Sequence, residues 1–155
     1  MRLLKSDFQI LPFQPDDLKA VLRIERASYP FPWTAEQFLQ EVANPVSALE
    51  LLWIGEHLAG YMCYWLIVGE MQILNVATAP EFRGRGVAIQ LLERALSCCA
   101  EKGLEMAWLE VRRGNVPAIS LYQRMGFRID GVRTRYYRDG EDALLMCRSF
   151  KAEEN

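Results

Sequence analysis

The sequence predicts a single α/β domain whose central sheet is mixed but mostly antiparallel and carries helices on both faces. Three observations predict this class: two strand patterns joined by a tight turn at 55–57, a strand–helix–strand passage over 71–111, and two strand patterns after residue 127. Because parallel strands are joined by right-handed crossovers, the central passage should add one parallel pair to the sheet. The chain length suits one domain over residues 1–150, followed by a solvated tail over 151–155.

The first third of the chain combines one strand pattern with two helix patterns. A strand over 8–13 precedes a helix with acidic residues in its first turn, which ends near Ser28. Two prolines exclude regular helix from residues 29–33. Thr34 and Gln37 have the spacing of a capping box, which predicts a second helix that ends before the next proline.

The middle of the chain predicts a hairpin followed by a third strand and the longest helix. Strand patterns over 47–54 and 58–68 are followed by a third over 71–79. Residues 87–102 then have an apolar stripe at helical spacing, and Gly103 is expected to end that helix.

The last third predicts three strands and one helix. A strand over 106–111 comes first, and Asn115 then caps a helix that runs to about residue 125. Two further strand patterns cover 128–137 and 143–150 and complete the predicted sheet.

The composition excludes several classes of protein. With 51% hydrophobic and 25% charged residues and a net charge of −2, the chain has no global attraction for nucleic acid or an anionic membrane. The apolar run over 58–68 is too short to span a bilayer, and residues 1–8 have no signal-peptide core. We therefore expect a cytoplasmic protein with no direct nucleic-acid or membrane partner.

The cysteines do not have the spacing of a metal site. They are Cys63, Cys98, Cys99 and Cys147. None forms a Cys-x-x-Cys pair, and they fall within predicted strands and helices. We therefore expect reduced, buried thiols and no bound metal.

The segment between the third strand and the longest helix has the chemistry of an anion site. Gly84 and Gly86 permit a tight turn that exposes backbone N–H groups. These groups open onto a helix N-terminus, which favours anions, and Arg83 and Arg85 add positive charge. A diphosphate fits this combination.

Three interpretations of the turn compete. It can be a plain strand-to-helix turn whose arginines face water. It can be a dinucleotide-binding fingerprint, with Gly84 and Gly86 as the first two glycines and Glu110 as the later acid. Against that interpretation, Ile89 stands at the third glycine position and antiparallel hairpins precede the turn. It can also be a loop that binds the pyrophosphate of coenzyme A.

The run Arg83–Ala88 resembles the Arg/Gln-x-x-Gly-x-Gly/Ala motif of the GNAT superfamily of N-acetyltransferases, and the resemblance extends over nearly the whole chain. Within that superfamily the chain is similar to the bacterial enzymes that acetylate the N-terminal alanine of a small-subunit ribosomal protein. The narrower resemblance is carried by Phe31-Pro32-Trp33, Trp108–Arg112, Asn115, Ala118–Tyr122, Gly126-Phe127, Tyr136-Tyr137 and Glu141–Ala143. Ala88 stands where glycine is frequent, and Thr78 where valine is common.

The resemblance implies a GNAT fold and acetyl transfer from acetyl-coenzyme A to a protein N-terminal α-amine, with a ribosomal protein as the acceptor. It implies Glu110 as the general base and Tyr122 as the general acid. The residues implied to bind the cosubstrate are Val76, Ala77, Thr78, Gly84, Arg85, Gly86, Val87, Ala88, Ile89 and Asn115.

The residues alone leave other roles open. Glu110 can pair with Arg112 or Arg113, and Tyr122 can be a packing aromatic. Three aromatic residues can either wall a peptide channel or pack a surface: Trp33, Tyr136 and Tyr137. The alternative functions are acetylation of lysine side chains or small amines, and a catalytically silent module that binds coenzyme A. No Ser-His or Cys-His arrangement supports a covalent intermediate, so direct attack of the amine is the simpler chemistry.

Overall fold

The computed structural model describes residues 3–151, which form a seven-stranded sheet covered by helices on both faces. The strands are β1 (Gln9–Pro12), β2 (Ser47–Ile54), β3 (His57–Ile67), β4 (Glu70–Thr78), β5 (Met106–Arg112), β6 (Arg128–Arg133) and β7 (Ala143–Ser149). The helices are α1 (Leu18–Ser28), α2 (Ala35–Ala43), α3 (Val87–Ala100) and α4 (Val116–Arg124). The predicted mixed, mostly antiparallel sheet is confirmed.

The sheet order is β1-β2-β3-β4-β5-β7-β6, with β4 and β5 as its parallel pair. Their pairing runs from Glu70 and Met106 to Ile73 and Leu109, although both strands continue beyond these residues. The register of β3 against β4 shifts at the same level, which leaves Leu74 as a bulge. The carboxyl-terminal halves of β4 and β5 therefore separate and leave a gap inside the sheet.

The two faces of the sheet carry separate hydrophobic cores. On one face α3 buries the stripe that its spacing predicts: Val87, Leu91, Leu92, Ala95, Leu96 and Cys99. On the other face, Val21 of α1 and Phe38 of α2 pack with Leu51 and Tyr61. The start of α2 follows the prediction, because Thr34 and Gln37 form the capping box, and the helix ends at Ala43, before Pro45, as expected.

Two predicted elements are too long. The strand predicted over 128–137 ends at Arg133, because Arg135 has a left-handed φ of 51° and its N–H donates to Asp142 Oδ1 at 2.9 Å. The helix predicted over 87–102 ends at Ala100, and the chain turns away at Gly103, whose φ is +81°. Tyr136 and Tyr137 consequently lie in a loop.

The prediction for the thiols holds for two of the four cysteines. All four are free, but Cys98 and Cys147 are only half-buried. Between Leu3 and Lys151, no group of three or more metal-ligating side chains is placed to hold an ion. None of the helices within these residues has the length and apolar character that a membrane crossing requires. Residues 1–2 and most of the predicted tail, 152–155, lie outside the described residues.

Candidate active site

A cavity of about 730 Å³ fills the gap between the separated halves of β4 and β5. We call it the gap pocket and define it by Tyr29, Trp33, Val76, Glu110, Tyr122 and Tyr137, which line it. Two loops form its outer walls: residues 29–34 between α1 and α2, and residues 134–142 between β6 and β7. Strand ends that part in this way expose backbone groups that a ligand can bind.

The edge of β4 that faces the gap pocket is identified by one hydrogen bond. The Tyr29 hydroxyl donates to the Val76 carbonyl, across the space where β5 would otherwise pair. Because the N–H and C=O of a strand residue point to the same edge, the Val76 N–H also faces the gap. Burial raises the pKa of Tyr29 far above its usual value, so this hydroxyl stays protonated.

Glu110 lies one residue past the last parallel pair of β5, and its side chain is 15% exposed. Its Oε1 is 3.3 Å from Nε of Arg133 on β6. The pairing with Arg112 or Arg113 that the sequence allowed does not occur, because those arginines pair with acidic residues of the 134–142 loop. A side-chain hydrogen bond with Glu110, followed by burial, raises the pKa of Tyr136. The carboxylate is therefore contacted from β6 and from the loop.

Tyr122 belongs to both the core and the gap pocket. It is 8% exposed, and its ring packs edge-on against Phe127 with centroids 6.0 Å apart. Burial, with a smaller contribution from Tyr137, raises the pKa of Tyr122 to about 12. At neutral pH its hydroxyl is therefore a proton donor at the wall of the pocket.

Sequence reasoning missed Glu25, which lies at the floor of the gap pocket. It is 1% exposed, and its carboxylate accepts three hydrogen bonds. The donors are the Tyr61 hydroxyl at 2.5 Å, Nδ2 of Asn75 at 2.7 Å and the backbone N–H of Trp33 at 2.9 Å. An available signal was its position four residues after Val21, on the apolar face of α1.

The predicted anion site lies at the N-terminus of α3. Gly84 and Gly86 have φ values of +80° and +82°, and Gly86 is the N-cap of α3. The cap provides no side-chain hydrogen bond, so the first N–H groups of the helix remain available to an anion.

A second cavity of about 510 Å³ adjoins this turn. Its lining includes four residues that the sequence predicted: Gly84, Arg85, Gly86 and Ile89. It also includes four residues that sequence reasoning missed: Glu93, Leu121, Arg124 and Met125. Three of these belong to α4 or its end, and the sequence did not indicate that α4 packs beside the α3 turn. Arg124, a basic residue in the last turn of α4, was the available signal.

The remaining predicted residues lie in the gap pocket, in the core or, for Thr78 and Ala88, in partly buried positions outside both. Asn115 lines the gap pocket, and its Oδ1 accepts the N–H of Ala118 at the start of α4. Four residues line neither cavity: Ala77, Thr78, Val87 and Ala88. The side chains of Ala77 and Val87 are buried, so only backbone groups remain for contact with a ligand.

The model of the Acetyltransferase (GNAT) family matches residues 18–127, a span that includes the α3 turn, α4 and every residue that defines the gap pocket except Tyr137. The chain belongs to the GNAT family of acetyltransferases. It is therefore an acetyltransferase whose cosubstrate is acetyl-coenzyme A. The free N–H groups, the arginines of the second cavity and the open β4 edge fit the diphosphate and the amide-bearing arm of that molecule.

Known GNAT proteins resemble this chain along almost its full length. A relative from Bacillus subtilis is 37% identical over 145 residues, which cover 92% of this chain and 96% of the relative. The ribosomal protein bS18-alanine N-acetyltransferase of Salmonella typhimurium is 32% identical over 134 residues, which cover 84% of this chain and 90% of that protein. The crystal structure of the Escherichia coli ribosomal-protein-S18-alanine N-acetyltransferase superposes with a TM-score of 0.86 at 30% identity, covering 96% of this chain and 97% of the other.

Proposed function

We propose that this GNAT acetyltransferase acetylates the N-terminal α-amine of a protein and that its acceptor is a ribosomal protein beginning with alanine. The observation that carries the proposal is the gap pocket, where Glu110, Tyr122 and the open edge of β4 meet between two loops. The named bS18-alanine acetyltransferases among its relatives support the identity of the acceptor. Such an acceptor would place the reaction in the cytoplasm, as the sequence predicts.

Glu110 and Tyr122 have complementary roles in the proposed reaction. Glu110 removes a proton from the acceptor ammonium, through water, and the free amine attacks the carbonyl carbon of the thioester. The Val76 N–H donates to the carbonyl oxygen as negative charge develops there. The carbon–sulfur bond breaks, Tyr122 donates its proton to the departing sulfur, and the nitrogen releases its second proton to water, from which Tyr122 regains a proton. Acetyl-coenzyme A supplies the acetyl group.

The cosubstrate is proposed to lie across both cavities. The N–H groups of residues 84–89 hold the pyrophosphate, and the edge of β4 over 76–78 holds the acetyl end and the pantetheine arm. The Oδ1 of Asn115 caps α4, so its Nδ2 is the group that donates to the pantetheine arm. In this arrangement the predicted residues bind the cosubstrate mainly through their backbone groups.

Gly86→Asp tests the cosubstrate site. Aspartate at this position adds backbone strain, because φ is +82°, and a negative charge beside the diphosphate. We expect calorimetry to show at least a tenfold loss of affinity for acetyl-coenzyme A, about 1.4 kcal/mol.

Gly103→Asp is the matched control for that variant. It introduces the same side chain at a φ of +81°, at the opposite end of α3, where an added Cβ meets no atom within 4 Å. The affinity of Gly103→Asp for acetyl-coenzyme A should stay near that of the wild type. Unchanged affinity in Gly86→Asp, or an equal loss in both variants, contradicts the proposed site.

The choice between an α-amine and a lysine acceptor rests on their acidities. The pKa of an α-amine is about 8 and that of lysine about 10.4, so at neutral pH the free-base fraction favours the α-amine by roughly 250-fold. A single carboxylate such as Glu110 is therefore a more adequate base for an α-amine than for a lysine side chain.

Two peptides of one sequence, each with a single lysine, test this choice. One has a free N-terminus beginning with alanine, and the other is blocked there. We expect mass spectrometry to place the acetyl group on the free α-amine, with the blocked peptide reacting at least a hundred times more slowly. Equal rates would identify a lysine acetyltransferase, and cosubstrate binding without any turnover would identify a silent module.

A further inference from the structure

The loop over residues 134–142 is a wall of the gap pocket, and its position depends on how it is anchored. It contributes Tyr136, Tyr137 and Arg138 to the pocket lining. It follows β6, the last strand of the sheet order, and it contains the left-handed Arg135. Loops of this kind have few neighbours that hold them in place, so its anchoring contacts decide where Tyr137 lies.

Arg112, the last residue of β5, makes more of these contacts than any other single residue. Its Nη1 donates to Oδ2 and Oδ1 of Asp139 at 2.8 and 3.1 Å and to Oε1 of Glu141 at 3.0 Å. The guanidinium carbon also lies 4.0 Å from the centroid of the Tyr137 ring, which is cation–π distance. The Arg112 side chain is only 18% exposed, so solvent screens these interactions less than at a free surface.

Glu141 completes the anchor from the loop side. Its Oε2 accepts the N–H of Gly114 at 2.9 Å, and its backbone carbonyl accepts the N–H of Tyr137 at 3.2 Å. A Cβ on residue 114 would lie 2.7 Å from that Oε2, so the close approach favours glycine. Isolated surface ion pairs stabilise little, but one guanidinium shared by two carboxylates and an aromatic face forms a network.

We propose that Arg112 is a positioning residue for acetyl transfer, which holds the 134–142 loop against the end of β5 and thereby fixes Tyr137 as a wall for the acceptor peptide. The inference rests on the proposed function, because it takes the gap pocket as the acceptor site. Tyr137 and Tyr122 both line the gap pocket, so the anchored ring shares that pocket with the proposed general acid. Arg112 acts through the loop and does not need to contact the acceptor.

The test compares Arg112→Gln with Arg113→Gln in the full chain. Arg113 is the adjacent residue and also pairs with an acidic residue of the loop, Asp142, at 3.1 Å, but its side chain is 63% exposed. The two variants therefore remove the same charge from neighbouring positions. Arg112→Lys adds a partial rescue, because lysine keeps the charge and loses the planar stacking on Tyr137.

Two measurements are needed. Hydrogen–deuterium exchange reports the anchoring, because the N–H groups of Gly114 and Tyr137 bond to Glu141. Steady-state kinetics with an alanine-initiated peptide reports its effect on the acceptor. For Arg112→Gln we expect at least tenfold faster exchange at these amides and at least a tenfold higher peptide KM, with unchanged affinity for acetyl-coenzyme A. Arg113→Gln should change each quantity less than twofold, and Arg112→Lys should lie between.

Each other outcome overturns the inference in a recognisable way. A raised KM with unchanged exchange would make Arg112 a direct contact of the acceptor. Faster exchange with an unchanged KM would remove the loop from the acceptor site, and no change in either would reduce Arg112 to a surface ion pair. Failure of the proposed function is distinguishable, because wild-type enzyme would then acetylate no peptide α-amine.

Discussion

Tyr122→Phe should lower kcat for acetyl transfer by roughly 10²–10⁴-fold, the usual contribution of a positioned acid, and should leave the affinity for acetyl-coenzyme A almost unchanged. The variant removes one hydroxyl and keeps the ring that packs against Phe127. Steady-state kinetics and calorimetry on the same preparation separate the two quantities.

Tyr64→Phe is the control for that variant. Tyr64 is also a buried tyrosine, but its hydroxyl donates to Oε1 of Glu50 at 2.7 Å and does not line the gap pocket. Its loss should not change kcat. A near-normal kcat in a folded Tyr122→Phe variant would limit Tyr122 to packing.

The pH dependence gives a second check on Tyr122. A general acid is active while it holds its proton, so its contribution is present below its pKa and is lost as the pH rises through that value. Because the pKa of Tyr122 is raised to about 12, no loss of kcat below about pH 11 should come from its titration.

Glu25→Ala should destabilise the fold by about 3 kcal/mol or more, a large part of the stability of a domain of this size. The substitution leaves three donors without their acceptor: the Tyr61 hydroxyl, the Asn75 amide and the Trp33 N–H. Each unsatisfied buried donor costs about 1–3 kcal/mol, and removal of the buried charge offsets part of the sum. Urea denaturation measures the change as a shift in midpoint.

Tyr61→Phe provides the smaller step for comparison. It removes one donor together with its need for a partner and should cost about 1 kcal/mol. If Glu25→Ala proves no more destabilising than Tyr61→Phe, the carboxylate is not the centre of this network.

Features encoded by neighbouring residues could be predicted from the sequence. The capping box at Thr34, the stripe of α3 and the glycine turn before it each depend on contacts within a few positions. The same holds for the cap of α4 by Asn115. The parallel pairing of β4 with β5 follows from the crossover rule, whereas the position of β7 between β5 and β6 was not predicted.

Features that depend on distant residues could not be predicted. Glu25 bonds to Tyr61 and Asn75, which lie 36 and 50 positions later in the chain. The partner of Glu110 is Arg133, on a strand that is not adjacent to β5. The early end of β6 depends on a hydrogen bond between Arg135 and a side chain seven positions away. Local patterns contain no information on these pairings.

The bulge at Leu74 makes the stability of the domain depend on what binds at the open edge of β4. Where β4 parts from β5, the Val76 carbonyl accepts the Tyr29 hydroxyl, and the other peptide groups that a continuous sheet would satisfy must bond to water or to a ligand. Any occupant that bonds to them adds RT ln(1 + [L]/Kd) to the free energy of unfolding, about 2.7 kcal/mol at a hundredfold excess over Kd. If the cosubstrate binds in this break, as proposed, the stability of the fold should rise with the cellular concentration of acetyl-coenzyme A.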